Sequence, residues 1–388
     1  MHIKNKQLAI RRVRDLRLIA SAVFFLYSGF GIYLATFNNF AVGVIHMQPE
    51  QLGVLEALRE FPGLAMAFVL AIAMHIAEPL LGCAALMLLS AGFAGYSQTE
   101  NYAPIVFYSV VWSVGLHVWM PLQSAMTLAL FDEHEKGKRL GQMGAYAGLG
   151  TSVGIVLVLI FTKSVSFSTW YMTASALVMV SAIMVLFIRR DLTPPDKPRM
   201  VLKRKYGLYY ALTFLEGCRK QVFITFAVYA MVREYDASLK AVAMLMLINN
   251  VTNLLAAPVV GRLIDRIGEK RVLMTSYAAL IFVFLGYALI QDLPVLYVLY
   301  CLDSLLYLST YGLTTYLNRI ADSRDLVPSL SMGVTMNHVA AVAVPLVGGF
   351  LWGALGYQAA FIGGAVVVVI SLNLVRRMII KPEPQCSQ

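Results

Sequence analysis

Charge is scarce in this chain. Asp, Glu, Lys and Arg make up 13% of its 388 residues, whereas a soluble domain carries roughly a quarter. With 59% hydrophobic residues and a mean hydropathy of +0.71, the composition excludes a water-soluble globule. Cysteine is equally sparse: Cys83, Cys218 and Cys301 fall in apolar stretches and Cys386 near the C-terminus, so no pair reads as an external disulfide. No phosphate-cradling glycine loop, zinc-ligand spacing or nucleophile elbow is present. These absences argue against an enzyme, a resident metal and a cofactor, and they leave a gradient as the drive for any transport. The tails are short, with no soluble signalling domain.

What the chain has instead is a succession of long apolar runs, each sufficient to cross a hydrocarbon core about 30 Å thick. The runs fall at 18–38, 52–76, 79–96, 104–130, 141–161 and 169–189, then at 207–231, 241–261, 271–290, 294–318, 328–352 and 357–376. Backbone polar groups in lipid must be satisfied within each segment, so the spans are expected to be helices. The first is too long for a cleavable leader, and no small-residue cleavage site precedes the second.

A net charge of +10 would suggest nucleic acid in a soluble protein. Here its placement gives another answer. Of the 31 Lys and Arg, 25 fall on one side of the spans and only Lys163, Arg233 and Lys240 on the other, with Arg59, Arg219 and Lys220 inside them. That asymmetry is the positive-inside signal. It implies an integral membrane protein with both termini cytoplasmic, as in a bacterial inner (plasma) membrane, with the lipid bilayer rather than nucleic acid as its partner.

The longest hydropathy break, RRDLTPPDKPRMVLKRK from Arg189 to Lys205, divides the chain into an N-terminal six-helix bundle (1–188), a cytoplasmic linker (189–206) and a C-terminal six-helix bundle with a short tail (207–388). An offset of 190 residues superposes the spans of the two halves, laying Pro104 on Pro294, Asp132 on Asp322 and Arg59-Glu60 on Asn249-Asn250. Internal repeats of this kind are a common transporter plan.

Between the eighth and ninth spans runs GRLIDRIGEKR, in which Gly261, Asp265, Arg266, Gly268 and Arg271 follow the pattern Gly, three residues, Asp-Arg, one residue, Gly, then basic residues. With twelve spans in a six-plus-six repeat, the chain resembles the major facilitator superfamily over essentially its whole length. The resemblance implies an all-α membrane fold of two pseudo-symmetric six-helix bundles, alternating access by rocking of the halves, and a gating role for those five residues. The equivalent first-half loop, AIAMHIAEPLL at 71–81, lacks the motif. The fourth span has no Arg, and the fifth has Gly144, Gly148, Gly150 and Gly154 without the proline of the drug/proton antiporters.

Seven ionisable residues lie inside spans: Glu56, Arg59 and Glu60 in the second, Glu216, Arg219 and Lys220 in the seventh, and Asp303 in the tenth. Each charge at the bilayer centre costs roughly 2.5–3.5 kcal/mol, so such groups persist only if paired, hydrated or functional. Helical spacing puts Glu56, Arg59 and Glu60 on one face and lets Glu216 reach Arg219 or Lys220. The repeat also lays Ser113, His117, Pro121 and Ser124 onto Asp303, Tyr307, Tyr311 and Thr314, two expected cavity stripes. Candidate substrate ligands are therefore Arg59, Arg219, Lys220, His117, Asn249, Tyr307, Tyr311, Asn337 and His338. Candidate proton-coupling groups are Glu216, Glu60, Glu56 and Asp303, with His117 and Asp303 as a possible relay.

The expected function is secondary transport of a small anionic or zwitterionic organic solute, coupled to protons or another ion, by a monomer. Arg forks and Lys point charges suit carboxylate or phosphate, and buried carboxylates suit proton coupling. An alternative is a copper-like metal carrier using Met332, Met336, His338 and Cys218, although Met is also ordinary apolar filler. Another is a non-transporting sensor of the same fold.

Overall fold

The computed structural model describes residues 2–72, 76–131, 133–189 and 202–378. Most of the 189–206 linker, Asp132 and Cys386 lie outside them.

The described residues are almost wholly helical. In chain order the helices are α1 (His2–Gly43), α2 (Pro49–Ile72), α3 (Glu78–Tyr96), α4 (Tyr102–Ala129), α5 (Glu133–Phe161), α6 (Phe167–Leu186), α7 (Gly207–Val222), α8 (Val228–Tyr235), α9 (Leu239–Ile267), α10 (Glu269–Leu289), α11 (Leu293–Tyr307), α12 (Tyr311–Ile320), α13 (Ser323–Leu355) and α14 (Tyr357–Val375). A π turn at Phe223–Ala227 joins α7 to α8, and a 3-10 turn at Leu308–Thr310 joins α11 to α12. Each pair thus makes one continuous run, consistent with twelve crossings. Ten runs are long and apolar enough to span a membrane. The other two, α2 and α7–α8, are the ones that carry Glu50, Glu56, Arg59 and Glu60, and Glu216, Arg219, Lys220, Arg233 and Glu234.

Several helices outrun their apolar stretches. α1 starts at His2 rather than near 18, α5 at Glu133 rather than 141, and α9 continues to Ile267 rather than 261. Hydropathy marks only the lipid-facing length, whereas backbone hydrogen bonding carries the helix on into polar flanks. Gly268, in the motif loop, ends this continuity: its φ of +85° is open to glycine and strained for other residues, and α10 begins one residue later.

Contacts divide the chain into two compact units. Unit 1 comprises residues 1–47, 58–196 and 237–250, and unit 2 comprises 48–57, 197–236 and 251–388. Inside unit 1, α1 packs on α5 and α6, and α3 on α4 and α6. Inside unit 2, α7 packs on α13 and α14, and α10 on α11 and α14. Counting spans, the second pattern is the first advanced by six, so the sequence repeat is also a repeat of helix pairings.

With no water to squeeze out between helices in lipid, close approach and polar bridges do the joining. Ser90 and Ser175 each donate to the other's carbonyl at 2.9 Å, binding α3 to α6, while Ser181 donates to the Ala22 carbonyl at 2.7 Å, binding α6 to α1. Aromatic rings fill the gaps. Tyr33, Phe93, Tyr96 and Trp112 interlock in unit 1, and Phe223, Phe284, Tyr287 and Phe361 in unit 2. Outside the spans, Lys205 bonds Asp322 at 2.6 Å and lies 3.1 Å from Asp325. Hydrogen bonding to Asp322, then to Tyr206 and Asp325, raises its pKa above the ordinary lysine value. A raised base stabilises the fold below its unfolded pKa and loses that contribution only as pH climbs through the folded one. This anchor therefore holds throughout the neutral range.

Gly154 on α5 sets the approach of α1, because a Cβ there would meet the Ser28 carbonyl and the Ile32 amide, whereas a Cβ at Gly144 would meet nothing. Gly154→Ala should lose roughly 1–3 kcal/mol through overpacking. Gly144→Ala should be neutral or gain up to about 1 kcal/mol. Thermal unfolding of the two purified variants in one detergent tests this, and equal melting temperatures would refute it.

Candidate functional site

Arg59 is the centre of the charged cluster in unit 1. It sits on α2 and is 9% exposed, with Nη1 donating to the Tyr33 hydroxyl at 2.8 Å. Its guanidinium lies 5.4 Å from the Trp112 ring and 6.0 Å from that of Phe37. Aromatic faces thus take the place of water around the cation. Nε is 3.9 Å from Glu60. Ser113 on α4 donates to the Arg59 carbonyl.

His117 lies one turn beyond Ser113, and its Nδ1 is 2.9 Å from the Ser113 carbonyl. A carbonyl only accepts, so a hydrogen bond there has Nδ1 as its donor. Nε2 faces Glu60 at 4.0 Å. Within unit 1 the carboxylate near His117 is therefore Glu60. Trp119 bonds Gln123 at 3.1 Å, which occupies that amide oxygen within α4. Asn250 donates to the Gly148 carbonyl at 2.9 Å and to Ser152 at 2.7 Å, while its neighbour Asn249 is buried, with an amide oxygen that no donor reaches.

In unit 2 the corresponding centre is Arg219, only 1% exposed. It donates through Nε and Nη2 to Glu216, one helical turn earlier, and through Nη1 to Asp303 on α11 at 2.9 Å. One guanidinium therefore serves two carboxylates from two helices. Tyr307, one turn after Asp303, presents its ring 5.5 Å from the Arg219 guanidinium and 5.8 Å from Lys220 Nζ. Among the described residues Lys220 makes no ion pair. It is also less buried than Arg219, as expected of adjacent residues pointing about 100° apart.

The stripe on α11 is interrupted between Tyr307 and Tyr311. The 3-10 turn at Leu308–Thr310 advances the register, and Tyr311 emerges 47% exposed. In unit 1 the matching residues Ser113 to Ser124 stay on one unbroken helix. Asn337 donates to the Gly333 carbonyl at 3.3 Å and packs over Gly217. Half-buried His338, Met332 and Met336 share α13, and Cys218 is buried on α7. Glu56 is buried on α2. In the motif loop Asp265, Arg266 and Arg271 are exposed and form no ion pair among the described residues, and a Cβ at Gly261 would meet nothing.

Three buried acids escaped the sequence reading. Glu269, 1% exposed, pairs with Arg319 at 2.6 Å. Asp15, fully buried, holds Arg14 at 2.8 Å and Arg189 at 2.6 Å. Asp325 holds Lys203 at 2.6 Å and accepts from Tyr206 at 2.9 Å. Asp15 and Glu269 stand beside basic runs and Asp325 beside Arg324, which is the one local signal that could have found them.

Helices able to span a bilayer, two units with the same pairing pattern and buried charge in each describe a polytopic helical membrane fold. Residues 209–386 match the family model of the Major Facilitator Superfamily. The fold is similar to that of the nucleoside transporter NupG, at 13% identity and a TM-score of 0.75 over 94% of this chain and 98% of that one. It is also similar to a POT family transporter in complex with a thioalcohol-conjugated peptide, at 13% identity and 0.74 over 94% and 95%. A third likeness is to the human organic anion transporter MFSD10, at 13% identity and 0.61 over 94% and 99%. No curated protein sequence matches. The family model matches the C-terminal part of the chain, and the fold as a whole is similar to that of these transporters.

Removing Arg219 would leave Glu216 and Asp303 buried against each other. Arg219→Gln should therefore destabilise unit 2 by roughly 3–5 kcal/mol, while a triple Glu216→Gln, Arg219→Gln, Asp303→Asn variant should recover most of that loss. Melting temperatures of the two variants decide it. A triple variant no more stable than Arg219→Gln would show that packing, not charge balance, governs the site.

Proposed function

We propose that the protein is a proton-coupled secondary transporter of a small anionic or zwitterionic organic solute, working by rocker-switch alternating access. The observation that carries this reading is the inventory around Tyr307: two carboxylates, Glu216 and Asp303, with two cations, Arg219 and Lys220. The group is neutral as it stands, yet only Arg219 is bonded to the acids. Lys220 is left to meet a substrate anion as a point charge.

Once an anion takes the Lys220 ammonium, the remaining trio carries one excess negative charge. An uncompensated charge at midplane costs roughly 2.5–3.5 kcal/mol, and one proton on Glu216 or Asp303 removes it. Release of the anion returns Lys220 to the balance and expels the proton. Binding and protonation are thus linked through charge neutrality, with Arg219 fixed throughout. Glu216 is the leading coupling group. Arg59, in its aromatic setting, supplies the first half's cation, with Glu60 and His117 as its titratable neighbours.

In the same reading residues 1–188 and 207–388 are the two moving halves, joined by 189–206, and both termini are cytoplasmic. The exposed Asp265, Arg266 and Arg271, with Gly261 and Gly268, serve gating. The POT and organic anion transporters with similar folds handle a peptide conjugate and organic anions respectively, which accords with a charged organic cargo.

The test is uptake of candidate solutes into proteoliposomes under an imposed pH gradient. Glu216→Gln should retain substrate exchange but lose dependence on the gradient, and Lys220→Ala should weaken substrate affinity at least ten-fold. If Glu216→Gln and Asp303→Asn both remain fully pH-driven, the coupling assignment fails. If uptake of every anion ignores charge removal at Arg59, Arg219 and Lys220, the anion assignment fails.

A further inference from the structure

An open cavity lies wholly in unit 2, at the end remote from Gly207. It has a volume of about 650 Å³ and is bordered by the start of α2, the end of α8 and the α13–α14 turn. Arg219 and Arg233 are 14 residues apart along the α7–α8 run, so this space is about 20 Å along the helix from the charged centre. Pockets of several hundred Å³ hold drug-sized molecules.

The charges on its wall are unequal. Arg233 is already engaged: Nη2 donates to Gln48 at 2.6 Å, Nη1 to the Tyr229 hydroxyl at 3.2 Å, and Nε is 3.7 Å from Glu234. Glu50 has no cationic partner among the described residues. Its carboxylate is pressed against Gly353, where any Cβ would collide with it. Gly353 stands in the last turn of α13, so this carboxylate meets the negative pole of that helix, while Glu50 itself lies in the first turn of α2, whose pole favours an acid.

Beside it is an aromatic corner. Trp352 and Tyr357 meet at 5.8 Å between ring centroids, and the Tyr357 hydroxyl bonds that of Tyr235 at 2.5 Å. Gly356, at φ +87°, makes the turn that brings Tyr357 round to this wall. A carboxylate beside ring faces is the chemistry that holds ammonium groups, through an ion pair and cation–π attraction together.

We propose that this cavity binds a small organic cation, a protonated or quaternary amine, with Glu50 as its counter-ion and Trp352 and Tyr357 as its ring walls. The site is separate from the charged centre of α7 and α11, and it stands whether or not that centre carries anions. An occupant ties the start of α2 to the ends of α8 and α13, all within unit 2.

Isothermal titration of the purified full-length protein with benzyltrimethylammonium, and with benzyl alcohol as the neutral aromatic control, tests the proposal. The cation should bind and the alcohol should not. Glu50→Gln should weaken cation binding at least ten-fold, Glu50→Asp should restore part of it, and Tyr357→Leu should weaken it several-fold. Melting temperatures of the variants identify any that misfold, and Glu50→Asp keeps the charge should Glu50→Gln do so. Equal binding of cation and alcohol, undiminished binding by a folded Glu50→Gln, or no binding of the cation at all overturns the site.

Discussion

Everything distinctive in this molecule follows from one constraint, that a charge inside a bilayer must find its balance inside the protein. The bond from Arg219 to both Glu216 and Asp303 is the strictest case. A lone pair could have been built within α7 by adjacent turns. Recruiting Asp303 from α11 instead makes the charge of one helix depend on the position of another. Burial of ions is weak evidence for stability, since apolar residues of the same volume do as well or better. An arrangement that binds two acids to one base and leaves a second base aside is better understood as a charge balance meant to be disturbed.

Unit 1 answers the same constraint differently. Arg59 lies 3.9 Å from Glu60, donates to the Tyr33 hydroxyl and stands beside the faces of Trp112 and Phe37. Rings add attraction for a cation beyond what a carboxylate supplies. The repeat that gave the two units the same helix pairings did not give them the same electrostatics, as Arg59-Glu60 aligning with Asn249-Asn250 already implied. Asn249 and Asn250 are polar but uncharged, and Asn250 is used to bond Gly148 and Ser152.

Much of the fold was legible in the sequence, because the bilayer is a solvent with a single demand and hydropathy measures it directly. Among the described residues, helix occupies each of the twelve expected spans. What hydropathy could not give was their ends, since α1, α5 and α9 run on into polar residues where lipid no longer decides. Within a helix, spacing was enough to pair Glu216 with Arg219. Between helices it was not: Asp303 is 84 residues from Arg219, and nothing local announces that partnership. The stripe drawn through Asp303, Tyr307 and Tyr311 assumed an unbroken helix, and a 3-10 turn ended it. Asp15, Glu269 and Asp325 were passed over because an acid beside basic residues looks solvated on paper, yet all three are buried.

The irregular turns complete the argument. The π turn at Phe223–Ala227 and the 3-10 turn at Leu308–Thr310 fall just beyond the two halves of the Arg219 cluster, three residues after Lys220 and five after Asp303. Mid-helix departures of this kind mark functional sites and strained segments more often than chance placement would. Each leaves a helix continuous in backbone path but locally softer, since hydrogen bonds of the wrong span are poorer than those they replace. In the proposed cycle, softness one turn from a charge that gains and loses a partner would let the side chains answer without unseating the packed half of either helix. The irregularity is therefore best read together with the charge balance, as the backbone's share of the same device.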